Sequence, residues 1–116
     1  MANLPPWLTR REDGVFVVDP DLAYPAIFSS LGLAEDDIDQ YWIEVAYQCA
    51  KLHVQNIWRA LEPNASLPLQ IHILAGGGRK ERWALKEHRV GRGTTAATQG
   101  GEARAHYARI QHLLGV

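Results

Sequence analysis

The segment from Asp36 to Leu61, DDIDQYWIEVAYQCAKLHVQNIWRAL, constrains the fold of this chain more than any other stretch. Its polar residues Gln40, Glu44, Gln48, Lys51, Gln55 and Arg59 recur every three or four positions, which traces one narrow stripe along a helix of about 3.6 residues per turn. The other positions are largely apolar. Ile38, Trp42, Val45, Cys49 and Leu52 make one flank, and Ile43, Tyr47, Ala50, Val54, Ile57 and Leu61 make the other. A helix wet along a single stripe must be covered on two sides. In a chain of 116 residues, which leaves roughly a third of its unfolded-state surface exposed after folding, such a helix invites a second subunit.

The rest of the chain offers short elements to do the covering, and its length suits a single domain over residues 1–116. Residues 1–14 read as an extended N-terminal arm, because the prolines of Leu4-Pro5-Pro6-Trp7 remove backbone donors and bias their predecessors away from helix. Asp13-Gly14 signals a turn, and Val15 to Val18 a brief strand. Pro25 suits the first turn of a short helix over about 24–31, ended by Gly32.

Beyond Leu61, LPLQIHIL at 67–74 alternates Leu69, Ile71 and Ile73 with Gln70 and His72, as a half-buried strand does. Gly76-Gly77-Gly78 then predicts a hairpin over about 67–90, with Trp83 and Leu85 inward and a basic outer face. A Gly- and Thr-rich connector spans 91–101, and a C-terminal helix is expected over about 102–114 with Ala103, Tyr107, Ile110 and Leu114 on its inner side. The fold class is therefore α+β: a short antiparallel sheet, the hairpin with strand 15–18, packed on a long central helix at about 36–61.

Charge divides along the chain although the net value is only −1. Residues 1–48 hold nine acids and two bases, for −7, and residues 49–116 hold ten bases and four acids, for +6. Such a dipolar chain pairs its halves internally, or pairs them in a symmetric oligomer. The opening MANLPPWLTRRED lacks the apolar core of a secretion signal, and no apolar run approaches the roughly 18 residues of a membrane span, so a cytoplasmic protein without membrane partners is expected. One cysteine, Cys49, excludes an internal disulfide and a Cys-rich zinc site.

Six of the chain's twelve Lys and Arg residues fall within 76–95, GGGRKERWALKEHRVGRGTT. Gly91-Arg92-Gly93-Thr94-Thr95-Ala96 has the spacing of a dinucleotide loop but not the following strand and acidic residue that such a loop requires. Gly76-Gly77-Gly78-Arg79-Lys80 leads into a strand and lacks the Gly-Lys-Ser/Thr ending of a phosphate loop. No cofactor is expected. Arg79, Lys80, Arg82, Lys86, His88, Arg89 and Arg92 instead form the candidate surface for an anion or a nucleic-acid backbone, which basic side chains bind by neutralising phosphates.

The five histidines show no metal-binding spacing, and no metal is expected. For catalysis the usable set is His72 or His88 beside Arg82, with no evident nucleophile. The leading expectation is a non-enzymatic protein-binding or assembly module, a homodimer whose interface on the long helix includes Trp42, Tyr47, Val54 and Trp58. Nucleic-acid or phosphate binding through the hairpin is the second expectation, and a small His/Arg enzyme the third.

Overall fold

In the computed structural model, which describes residues 4–74 and 101–115, Asp13 and Gly14 close a tight turn that draws the N-terminal stretch into the fold. Gly14 takes a φ of 92°, and Asp13 Oδ1 accepts a hydrogen bond from the Val15 amide. Strands β1 (Leu8–Arg10) and β2 (Phe16–Val18) therefore pair antiparallel, with Leu8 opposite Val18 and Arg10 opposite Phe16. The expected arm thus contains an edge strand. Trp7 and Leu8 are buried, and the Arg10 guanidinium lies 4.8 Å over the Phe16 ring while its tip pairs with Glu62.

Helix α1 runs over Pro20–Leu31 and so begins earlier than the sequence predicts. Asp19 caps it by accepting from the Asp21 amide at 3.0 Å, and Pro20 occupies the first turn, where its missing N–H has no ladder partner to lose. Pro25 lies inside the helix rather than at its start. Gly32 stops it as expected, at a φ of 78° with its amide bonded to the carbonyls of Phe28 and Ser29.

Helix α2 covers Gln40–Leu61. Residues Glu35–Asp37 form a separate 3-10 turn, and Asp39 is the cap, accepting from the Trp42 amide at 3.2 Å. The predicted stripe holds, since none of Gln40, Glu44, Gln48, Lys51, Gln55 and Arg59 is buried. Ile43, Val45, Ala46, Cys49, Ala50, His53, Val54 and Ile57 are buried on the opposite side. Helix α1 packs on one side of α2, and α3 (Glu102–Ile110) packs against it as well. Ala103, Tyr107, Ile110 and Leu114 face inward as their spacing predicts.

Strand β3 (Ile71–Ile73) completes a sheet of order β1-β2-β3. It pairs parallel to β2, with Phe16 opposite Ile71 and Val18 opposite Ile73, so the sheet is mixed where an antiparallel one was expected. The intervening α1 and α2 supply the long crossover that a parallel pair needs. The alternation is as read: Leu69, Ile71 and Ile73 are half-buried, and Gln70 and His72 are exposed. The predicted return strand of the hairpin lies outside the described residues.

Phe16, Val18, Ile27, Val45, Cys49 and Val54 are fully enclosed, joining sheet, α1 and α2 in one core. This corrects the expectation for Val54, which faces its own chain's interior and not a partner. Truncating it removes two buried methyl equivalents, so Val54→Ala should lower stability by roughly 2 kcal/mol in urea denaturation. Its sedimentation should match that of the parent chain.

Candidate functional site

Burying an imidazole and a phenol among apolar side chains is costly unless every polar atom finds a partner. His53, on the buried arc of α2, and Tyr107, on the inner face of α3, solve this together. The His53 ring bonds Gly115 O through Nε2 at 2.9 Å and Tyr107 Oη through Nδ1 at 2.7 Å. A carbonyl only accepts, so Nε2 carries the proton. In the neutral ring, which burial favours, Nδ1 then accepts and Tyr107 donates to it. Asn56, one turn along from His53, donates its Nδ2–H to Tyr107 Oη at 2.8 Å. The result is a directed chain from Asn56 to Tyr107 to His53 to the Gly115 carbonyl.

This chain holds His53 neutral. Burial pushes its pKa below the usual 6.5, against a smaller opposing effect of the Gly115 carbonyl, and burial likewise pushes the Tyr107 phenol up. Trp7 lies against the same imidazole, with ring centroids 5.8 Å apart. An open cavity of about 410 Å³ adjoins the chain, lined by His53, Tyr107, Ile57 and Ala60, with the exposed Asn56, Gln111 and His112 at its rim.

A second chain ties the N-terminal end of α2 to α3 nearer the surface. Arg109 donates to His106 Nδ1, so His106 Nε2–H faces Tyr41 Oη at 3.1 Å, and Tyr41 donates to Glu102. The Glu102 carboxylate holds the Tyr41 phenol up at about 12. Desolvation, and then the Arg109 charge, keep His106 below the usual range. Trp42 is half-buried against this chain, with its ring centroid 4.9 Å from both Tyr41 and His106.

The residues expected at a dimer interface are therefore dispersed. At about 100° per residue, Tyr47 and Trp58 lie about 20° apart on one side of α2, and Trp42 lies about 160° away from Trp58. Val54 is in the core. Tyr47 and Trp58 are half-buried, with Lys51 Nζ 5.0 Å from the Tyr47 ring. Of the proposed His/Arg site only His72 is described, exposed on β3. Arg79, Lys80, Arg82, Lys86, His88, Arg89 and Arg92 lie outside the described residues. Cys49 is enclosed on α2, where burial pushes its thiol up to about 12.

No protein-family model, curated protein or solved structure matches the chain.

The His53–Tyr107 pair was not singled out from sequence, although one signal was present: His53 falls between the two apolar flanks, opposite the polar stripe. A histidine there must be neutral and bonded. What the sequence did not offer was the partner, which is 54 residues away.

A pH dependence follows. Both His53 and His106 have folded-state pKa values below the unfolded 6.5. The unfolded chain therefore binds more protons below that pH, and the stability that the neutral rings provide is present above it and lost as pH falls through the folded values. Urea midpoints measured from about pH 7 down to about pH 5.5 should fall, and His53→Gln should flatten the slope while lowering the midpoint at neutral pH.

Proposed function

We propose that the chain is a small, non-enzymatic protein-binding or assembly module of the cytoplasm, and that it pairs with a second copy of itself through the outward side of α2. The observation that carries this reading is the placement of Tyr47 and Trp58 on the same side of the helix, interleaved with the charged Glu44, Lys51 and Arg59. Tyr, Trp and Arg are the residue types most often found as anchors of protein interfaces.

The pattern is self-complementary. In a two-fold contact residue i meets j and j meets i. An antiparallel two-fold at the middle of α2 sets Tyr47 against the partner's Trp58 and, on the same register, brings Glu44 near the partner's Arg59. It also lays the Glu44 end of one α2 along the half of the other α2 that carries Lys51 and Arg59. Trp58 further borders a groove of about 430 Å³ beside Leu67, which is 76% exposed, with Arg10 and Glu62 at its edge. The groove extends the contact surface past the end of the helix. Binding is favoured over catalysis because the enclosed Cys49 thiol is held protonated and His53 and Tyr107 direct their polar atoms at one another.

Charge reversal tests the pairing. Sedimentation velocity over a concentration series should show a dimer for the parent chain, at least about tenfold weaker association for Glu44→Arg or Arg59→Glu alone, and recovery in the double variant. Trp58→Ala should weaken association as well. A parent chain that stays monomeric at high concentration, or a double variant no better than the singles, would sink the proposal.

A further inference from the structure

We infer that the cavity between the C-terminal half of α2 and the stretch from Tyr107 to Gly115 is a binding site for a small, neutral, planar molecule with amide-like hydrogen-bonding edges, of the nucleobase or pyridine-carboxamide class. Its volume of about 410 Å³ lies in the range of about 300–1,000 Å³ usual for small-molecule sites. The lining follows their pattern too, with apolar walls from Ile57 and Ala60 and a few convergent polar groups.

Charge decides the ligand class. Among the described residues no Asp, Glu, Lys or Arg lines the cavity. An ion entering it would lose hydration without gaining a counter-charge from these residues, and a neutral molecule would not incur that cost. The polar groups then decide the edge. The Asn56 and Gln111 amides at the rim each present a donor beside an acceptor, which matches a molecule carrying the same pair side by side. Tyr107 Oη donates to His53 and accepts from Asn56, and it keeps one further lone pair. The Gly115 carbonyl accepts from His53 and keeps another. A ligand N–H can therefore bond to either without breaking the internal chain. The Tyr107 and His53 rings, 5.7 Å apart edge to face, give a flat ring an aromatic wall to pack on.

The site is separate from the proposed dimer face, because Ala60 lies about 160° round α2 from Trp58. The two readings can therefore fail independently. The test is a titration of the full chain, followed by nuclear magnetic resonance, with nicotinamide and with adenine. Nicotinate serves as an anionic probe of nearly the same shape as nicotinamide.

Saturable shifts are expected at the Asn56 and Gln111 side-chain amides and the His112 ring with one or both neutral probes, with nicotinate at least about tenfold weaker than nicotinamide. Ala60→Trp places a large ring at the cavity wall from an exposed position. It should leave the melting temperature and the sedimentation unchanged and weaken the neutral probe at least about tenfold. Absence of saturable shifts with both neutral probes would overturn the inference. So would nicotinate binding as tightly as nicotinamide, or an Ala60→Trp chain that is folded and binds undiminished.

Discussion

The wide apolar arc of α2 is the constraint on which the rest of this structure depends. Eight of its residues are buried, from Ile43 to Ile57, and they can be dry only if other elements meet the helix on more than one side. Helices α1 and α3 do so, and Phe16 and Val18 of the central strand join the same core. The chain thus covers most of both flanks itself, with Leu61 at the end of the helix still 37% exposed. The side of α2 left most open is the polar stripe, with Tyr47 and Trp58 half-buried beside it.

The polar chain through Asn56, Tyr107, His53 and Gly115 places a demand of a different kind on the fold. Apolar packing tolerates small slips, whereas a neutral imidazole with one donor and one acceptor accepts only one arrangement of its neighbours. It pins the C-terminal stretch to α2 and leaves spare lone pairs at the edge of an open cavity. The surface chain of Arg109, His106, Tyr41 and Glu102 does the same for the other end of α2, with Trp42 packed against it. The helix pair is thus registered at two points, each built around a histidine that its surroundings hold neutral.

Local patterns were legible in the sequence because they are set by residues a few positions apart. The stripe from Gln40 to Arg59, the inward set Ala103, Tyr107, Ile110 and Leu114, the alternation from Leu69 to Ile73, and the Asp13-Gly14 turn all have this character. The start of α1 was misplaced because two prolines competed for the first turn, and only Asp19 can cap the helix that Pro20 opens. Strand β1 was hidden behind the prolines that precede it. The parallel pairing of β3 was hidden for another reason: a Gly-rich turn favours a hairpin locally, and nothing local says that Ile71 will find Phe16 across two helices.

The sequence by itself determined the α+β class, the central helix with its wet stripe, and the inward-facing set of the C-terminal helix, since periodicity and turn chemistry act over one or two turns of chain. Tertiary structure alone decided that Val54 is fully enclosed while Tyr47 and Trp58 stay half-buried at the border of the core. It alone decided that His53 closes on Tyr107 and Gly115, and that a cavity remains beside them. Those outcomes depend on where α1, α3 and the sheet come to rest against α2, which is settled by packing between residues some fifty positions apart.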